Sequence, residues 1–236
     1  PALARRVLAG GVGSRDHGAG AFEQADVVLA IGYDMIEWPP DCWNAGVDKR
    51  IVHIDFAPAE VDYHYDCEVE VVADIASTLW EINERLDGSL HFDVPLFRRL
   101  RDHMLYEMGL SEHASRVPED IDAEAVAATS SDAFPMKPQR ILRDLRLLLG
   151  EEDFLISDVG AHKMWVARQY PTFRPNTCII SNGFCSMGIA LPGAIGAKMV
   201  RPERRVVGLC GDGGFLMNLQ ELATAVQDEV PCRILV

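Results

Sequence analysis

Hydrophobic and polar residues follow two different periods along this chain, and together they predict strands that alternate with helices. Short apolar runs are typical of strands buried in a sheet. Between them, apolar residues recur three or four positions apart, which is the spacing of a helix with one buried face. Because strands that alternate with helices form parallel sheets, the chain is predicted to be an α/β protein. The apolar runs are Val27–Ile31, Ile51–Asp55, Glu70–Val72, Phe154–Ile156, Thr177–Ile180 and Val206–Cys210.

Amphipathic helices are predicted in the intervals between these strands. Asp74 has the position and the side chain of an N-cap, and Pro95 and Pro138 each stand where a helix can begin. A further helix over Met187–Val200 is expected to be interrupted early by Pro192. The expected buried stripes are Ile75, Leu79, Ile82 and Leu86 in the first of these helices and Ile141, Leu142, Leu145 and Leu148 in the third.

The composition changes along the chain and predicts two domains joined by a linker. We expect a first domain over residues 1–87, a linker with a helix over residues 88–137 and a second domain over residues 138–236. Within the linker, Pro118–Ala133 is acidic, rich in alanine and serine and poor in large apolar residues. That composition is typical of a surface linker.

The strongest candidate for a functional site is the glycine turn Gly211-Asp212-Gly213-Gly214, which follows a predicted strand and precedes a predicted helix. Glycines let the main chain approach a ligand closely, and a helix start offers unpaired N–H groups that favour phosphate. Asp212 would repel a bare phosphate, but it fits a divalent cation held between a carboxylate and a phosphate. The turn therefore predicts a magnesium–diphosphate site with Asp212 as a metal ligand.

A β-hairpin is the alternative interpretation of this turn, because Asp-Gly pairs also favour two-residue hairpin loops. Leu219, Leu222 and Val226 recur at helical spacing, which argues against a second strand there. In open parallel sheets, ligands bind beyond the carboxyl ends of the strands. We therefore expect three loops to meet at one edge of the sheet, and these are residues 158–162, 181–187 and 211–214.

The net charge limits which binding partners are expected, and the cysteines indicate the cellular compartment. The formal net charge of −14 argues against nucleic acid and against an anionic membrane surface. The sequence has no apolar run of membrane-spanning length and no secretory signal. The six cysteines lack CxxC pairing, as is typical of free thiols in the cytoplasm. Since the chain begins with Pro1 and ends within a further strand predicted over Arg233–Val236, we expect a piece of a longer protein.

Three segments of the second half border the predicted loops: SDVGAHKMWVARQY (Ser157–Tyr170), ISNGFCSMGIALPGAIGAK (Ile180–Lys198) and CGDGGFLMNLQELATAV (Cys210–Val226). Together they resemble the cofactor domain of the thiamin-diphosphate-dependent acetolactate synthases. The last segment is similar to the first half of the thiamin-diphosphate motif, which opens with GDG and ends with a pair of asparagines. The resemblance implies thiamin diphosphate and Mg²⁺ as cofactors.

Two segments of the first half are AFEQADVVLAIGYDMIEW (Ala21–Trp38) and RIVHIDFAPAEVD (Arg50–Asp62). They resemble the central domain of the same family, which has a Rossmann-like sheet. The implied fold is two doubly wound parallel-sheet domains, both incomplete. In the biosynthetic relatives the central domain binds FAD near an arginine-bearing stretch. The corresponding residues here, Gly32–Trp38, contain no arginine, which counts against FAD.

The resemblance also implies roles for individual residues of the three loops. Asp212 would ligate Mg²⁺, and main-chain groups of the glycine turn would hold the diphosphate. Met187 matches the bulky residue that bends thiamin, and His162 is the candidate for proton transfer. Ala161 stands where many relatives have glutamine. The implied cofactor-binding residues are Gly160, Ala161, His162, Cys185, Met187, Gly211, Asp212, Gly213 and Gly214.

Each of these side chains also has a purely structural interpretation. Methionines commonly fill cores, and this is the alternative for Met187. His162 is equally compatible with a structural hydrogen bond. We expect Lys163 to point to solvent, and Trp165 and Phe184 to be packing residues.

The implied activity is a cytoplasmic carboligase that decarboxylates pyruvate and transfers the two-carbon unit to a second 2-oxo acid, as in branched-chain amino acid biosynthesis. One alternative is another thiamin-diphosphate-dependent decarboxylase or acyl-transferring relative. Another is a non-catalytic nucleotide-binding or scaffolding domain. Shared sites in the family imply a homodimer or homotetramer. The family's activating glutamate and its later Mg²⁺ ligand lie outside this chain, so the segment alone is expected to be inactive.

Overall fold

The computed structural model describes residues 22, 25–36, 38–60, 62–86, 94–110, 114, 118–119, 123–182 and 184–236. These residues form two compact units, the first within residues 12–97 and the second within residues 98–236. Each unit contains one parallel sheet with helices, so the predicted α/β class is confirmed. The predicted domain and linker limits remain a prediction. Among the helices of these residues, none combines the length and the apolar character that crossing a membrane requires.

The first unit is built on a parallel sheet of strands β1 (Val27–Ile31), β2 (Arg50–Asp55) and β3 (Cys67–Val72), in the order β1-β2-β3. Strand β1 was predicted to be a buried strand, and among the described residues it is covered on one face only. Ala30 is buried, whereas Leu29 is 59% exposed. Adjacent residues of a strand point to opposite faces, so the described residues cover only one face of β1.

Helix α1 (Ile75–Arg85) follows the third strand and begins at the predicted N-cap. The Asp74 carboxylate accepts a hydrogen bond from the Ser77 N–H at 2.8 Å, which satisfies one of the unpaired donors at the helix start. The predicted buried stripe is only partly covered among the described residues, because Ile82 and Leu86 are 38% and 43% exposed.

An aromatic cluster forms the core of the first unit. The ring centroid of Trp43 lies 5.9 Å from that of Tyr33 and 6.1 Å from that of Tyr65. The Tyr65 hydroxyl lies 2.9 Å from Nδ1 of His53 on β2. Burial raises the pKa of Tyr65, so the hydroxyl keeps its proton and joins the cluster to the sheet.

The second unit is built on a four-stranded parallel sheet. The elements from residue 94 onward are α2 (Val94–Glu107), α3 (Ala123–Ser130), α4 (Pro138–Leu148), β4 (Phe154–Ser157), α5 (Ala161–Gln169), β5 (Cys178–Ile180), α6 (Ala190–Val200), β6 (Val206–Leu209), α7 (Asp212–Met217), α8 (Glu221–Gln227) and β7 (Arg233–Leu235). The strand order is β5-β4-β6-β7. From β4 the chain continues to β5 on one side of the sheet, and from β6 it continues to β7 on the other side, so the strand order reverses between β4 and β6. Ligands bind at such a switch point, beyond the carboxyl ends of the strands.

Helices cover both faces of this sheet because successive strand residues point to opposite sides. Leu155 of β4 packs in one cluster with Leu142 of α4 and Val166 of α5. The next residue, Ile156, packs in a second cluster with Ala190 and Ala194 of α6. The two clusters hold β4 and β6 in a fixed register and so fix the positions of the loops that follow them.

Two helices of this unit differ from their predicted limits. Helix α6 begins at Ala190 and is not interrupted by Pro192, which lies in its first turn. A proline is tolerated there because the N–H it lacks would have no partner inside the helix. The helix predicted to follow the glycine turn begins within it, at Asp212, and is divided into α7 and α8.

The buried side of α4 also differs from the predicted stripe. Leu148 is 66% exposed, whereas Arg146 is buried. The Arg146 guanidinium donates to the carbonyls of Leu149 and Gly150 at 2.7 and 2.6 Å, and it lies over the Tyr170 ring. A charged group can be buried here because these carbonyls satisfy its donors.

The surface linker expected over Pro118–Ala133 contains helix α3, and this corrects the prediction. Ala128 and Thr129 are buried, and the Thr129 hydroxyl donates to the Val126 carbonyl at 2.8 Å. Small residues such as alanine gave no amphipathic signal, although they allow close packing against α4.

We predict that Gly208→Ala destabilises the second unit. A Cβ at Gly208 would lie 2.9 Å from the Ala190 carbonyl oxygen and 2.9 Å from Cδ1 of Ile234. Overpacking of this kind costs about 1–3 kcal/mol, and the urea midpoint measures it. Gly196→Ala is the matched control: a Cβ there meets nothing within 4 Å. Because Gly196 is in a helix, the control should gain about 0.5–1 kcal/mol. Equal midpoints for the two variants would contradict the packing of α6 on β6.

Candidate functional site

The three predicted loops meet at the carboxyl edge of β4 and β6, and this prediction is confirmed. The main-chain N–H of Gly188, which precedes α6, donates a hydrogen bond to the carboxylate of Asp158, which follows β4. A Cβ placed on Gly211, after β6, would lie 3.4 Å from Cε1 of His162. A Cβ placed on Gly213 would lie 3.6 Å from Cε of Met187. The glycine turn therefore contacts both neighbouring loops.

Asp158 is the residue at this edge that sequence reasoning missed. Its side chain is completely buried. Oδ1 accepts hydrogen bonds from the main-chain N–H of Val159 at 2.7 Å and of Gly188 at 2.8 Å, and Oδ2 lies 2.9 Å from the same Gly188 nitrogen. The available signal was a carboxylate directly after an apolar strand, at the edge where ligand loops meet.

Gly188 is bound on its other side by Asn218, which was also missed. The Asn218 side-chain amide donates to the Gly188 carbonyl at 2.8 Å. The φ angle of Gly188 is +90°, and a Cβ there would lie 2.5 Å from Nδ2 of Asn218. Only glycine fits this conformation without strain.

The His162 ring lies between Gly160 and Gly211. A Cβ on Gly160 would lie 2.9 Å from Cε1 of His162, so the ring fills the space that a side chain there would need. Burial lowers the pKa of His162, and the nearby Asp158 only partly offsets this. The imidazole is therefore neutral near pH 7. Its Nε2 is buried and has no hydrogen-bond partner among the described residues.

The turn between β6 and α7 places its glycines against the other loops and its carboxylate outside. Gly214 is buried, and a Cβ there would lie 2.6 Å from Oδ2 of Asp158. Asp212 is the first residue of α7 and is exposed. The hairpin alternative is wrong, because a helix and not a strand follows the turn.

The loop before α6 carries Cys185 and Met187 next to the turn. Met187 is 44% exposed, so it does not fill the hydrophobic core. Cys185 has a positive φ of 48°, and its sulfur accepts a hydrogen bond from Nζ of Lys163 at 3.3 Å. The expectation that Lys163 points to solvent is therefore wrong. Phe184 is fully exposed and not a packing residue, whereas Trp165 packs against the core cluster as expected.

These residues fit a diphosphate bound through a cation. The glycines allow close main-chain approach, and the buried Nε2 of His162 is a polar atom without a protein partner. No three His, Cys, Asp or Glu side chains gather as a metal site within the described residues. A cation held by Asp212 would therefore take its remaining ligands from phosphate and water, as Mg²⁺ commonly does.

Comparison with protein-family models gives two matches. Residues 158–236 match the C-terminal TPP-binding domain of thiamine pyrophosphate enzymes, and residues 6–82 match the central domain of the same enzymes. The first match begins at Asp158 and contains all three loops of the site.

Comparison with curated proteins gives similarity to acetolactate synthases. The chain is 35% identical to an acetolactate synthase of Bacillus subtilis over 89% of its length, and 35% identical to a catabolic acetolactate synthase of Raoultella terrigena over 93%. It is 30% identical to a probable acetolactate synthase large subunit of Methanococcus aeolicus over 88% of its length. The matches cover 34%, 37% and 34% of these relatives, so the chain spans about a third of their length.

We predict that the protein loses stability in mild acid because the buried His162 imidazole resists protonation in the folded state. Because burial lowers the pKa of His162 below the ordinary 6.5, the unfolded state takes up a proton first as the pH falls through about 6.5, and stability drops. The urea midpoint should fall from about pH 7.5 to about pH 5.5 by less in His162→Gln than in the parent. An equal fall in both proteins would contradict a neutral, buried imidazole.

Proposed function

The chain belongs to the thiamine pyrophosphate enzymes, and on that premise we propose that its glycine turn binds thiamin diphosphate (thiamine pyrophosphate) through Mg²⁺. We propose further that the full-length protein is an acetolactate synthase-like carboligase. It decarboxylates pyruvate and transfers the two-carbon unit to a second 2-oxo acid. The similarity to acetolactate synthases of three organisms supports this activity.

One observation carries the proposal for the cofactor. The Gly211–Gly214 turn, the His162 ring and Met187 come together at the switch point of the sheet, inside the segment that matches the TPP-binding domain. The match names the ligand, and the geometry brings the loops to one place where it can bind.

The residues of the site divide between the two ends of the cofactor. Asp212 ligates Mg²⁺, and main-chain groups of Gly211, Gly213 and Gly214 hold the diphosphate. Gly160, Ala161 and His162, at the start of α5, lie along the same end. At the other end, Met187 supports the thiamin rings, and main-chain groups around Cys185 and Met187 hold the pyrimidine.

A neutral imidazole has one donor nitrogen and one acceptor nitrogen. The His162 ring donates to the Asp158 main chain, so its buried Nε2 is the acceptor. From this position Nε2 can accept a proton or a hydrogen bond at the diphosphate end. When bound, thiamin diphosphate supplies the carbanion stabilisation that decarboxylation of a 2-oxo acid requires, while the protein supplies orientation and a site poor in water.

The first unit is proposed to work without FAD. Its segment Gly32–Trp38 has no arginine, and Tyr33 within it packs against Trp43 and Tyr65. We place the protein in the cytoplasm as a homodimer or homotetramer. All six cysteines are free thiols, which supports a reducing compartment.

We predict that Asp212→Ala lowers the affinity for thiamin diphosphate at least about tenfold in the presence of Mg²⁺, because the bridge between protein and diphosphate loses its carboxylate. Isothermal titration calorimetry of the full-length protein measures the affinity. Asp228→Asn is the control, since it removes an exposed carboxylate of the same unit outside the site. Equal affinity of Asp212→Ala and the parent would refute the assignment of the metal ligand.

We predict that the full-length protein, given pyruvate, Mg²⁺ and thiamin diphosphate, releases CO₂ and forms 2-acetolactate. Product analysis by mass spectrometry distinguishes the alternatives. Acetaldehyde as the only organic product would identify a simple decarboxylase, and an acylated acceptor would identify an acyl-transferring relative. If the protein binds the cofactor and converts no 2-oxo acid, the non-catalytic alternative is correct.

The 236-residue segment alone should be inactive in the same assay, and turnover by it would contradict that expectation.

A further inference from the structure

We propose that Asp158 and Asn218 are positioning residues that hold Gly188 from both sides, through its N–H and its carbonyl, and so set Met187 against the glycine turn. Neither side chain needs to touch a ligand to do this. The inference deepens the proposed function and rests on it for its effect on the cofactor, whereas its structural part can be tested without any ligand.

We call the two contacts of Asp158 and Asn218 with Gly188 the clamp, and Asp158 provides the first of them. Its carboxylate is completely buried, and a buried carboxylate is costly unless hydrogen bonds satisfy it. One donor, the Val159 N–H, is its neighbour in sequence, but the other is the Gly188 N–H, thirty residues away. The carboxylate therefore draws the distant loop to the end of β4. The loop cannot move away without leaving a buried charge short of a donor.

Asn218 provides the second half, from the end of α7. Its Nδ2 donates to the Gly188 carbonyl at 2.8 Å, while its Oδ1 accepts a bond from the Gln220 side chain at 3.3 Å. The Gln220 contact fixes which end of the amide faces Gly188. Both polar groups at Gly188 are thus engaged, one by the loop after β4 and one by the helix after β6.

Gly188 transmits this clamp to its neighbour Met187. With φ at +90° and no room for a Cβ, Gly188 has one conformation that satisfies both partners. Met187 is joined directly to it, and the Met187 methyl group faces Gly213 of the turn, 3.6 Å from where a Cβ of that residue would lie. Loss of either partner should therefore displace Met187 relative to the turn while the sheet below stays intact.

The first experiment observes Met187 without cofactor. Full-length protein labelled with [methyl-¹³C]methionine is prepared as Asp158→Asn and Asn218→Asp, which keep the side-chain shape and change its hydrogen bonds. Met187→Leu identifies the Met187 resonance in the methyl spectrum. We expect that resonance to shift in both variants while that of Met199, at the far end of α6, stays in place. The matched controls Asp228→Asn and Asn176→Asp, both at exposed positions, should leave Met187 unchanged.

The second experiment measures the affinity for thiamin diphosphate at saturating Mg²⁺ by calorimetry. Each single variant should bind at least about tenfold more weakly, as expected for the loss of one hydrogen bond at a charged or buried group. Because both residues act through Gly188, the double variant should lose less than the product of the two single losses.

Three results would overturn the clamp. The first is a Met187 resonance that does not shift in either single variant. The second is parental affinity for thiamin diphosphate in both single variants. The third is a double variant whose loss of affinity equals the product of the two single losses, which would mean that the residues act independently. If Asp158→Asn does not fold, Asn218→Asp and Asn218→Ala decide the same question, because Asn218 is only half-buried and its replacement should leave the fold intact. If the parent itself does not bind thiamin diphosphate, the proposed function fails, and the methyl spectrum still decides the clamp.

Discussion

The hydrogen bonds between the Asp158 carboxylate and the Gly188 main chain are the interaction on which the site depends. They join the loop that follows β4 to the loop that precedes α6. The same carboxylate also limits the turn after β6, since its Oδ2 leaves no room for a side chain at Gly214. One buried charge thus fixes three loops that are far apart in sequence, because a charge without donors is too costly to bury.

The sheet supplies the frame in which this carboxylate can act. Residues Ile156 and Gly208 are paired in adjacent strands, and the packing of α6 against Gly208 brings that helix close to the sheet. The start of α6 then lies over the carboxyl edge of β4 and β6. Polar groups that follow these strands can meet only there, which explains why site residues cluster at this edge.

The sequence was informative where a pattern has a single physical meaning. Apolar runs predicted the strands, Asp74 predicted an N-cap, and Gly211–Gly214 predicted a turn between a strand and a helix. It was less informative where the outcome depends on partners distant in the chain. The burial of Arg146 depends on carbonyls beyond the end of its own helix, and Pro192 is harmless only because α6 begins at Ala190. Asp158 and Asn218 were missed because nothing local to either residue shows that Gly188 lies between them.

A site made from strand-end loops also has a consequence for how the protein folds. The contacts between Asp158 and Gly188 close a long segment of chain, and such non-local contacts form late, after the entropy of closure has been overcome. The binding surface is therefore absent from partly assembled forms of the sheet. A molecule that binds there recognises only the finished structure, and it stabilises that structure by mass action as its concentration rises.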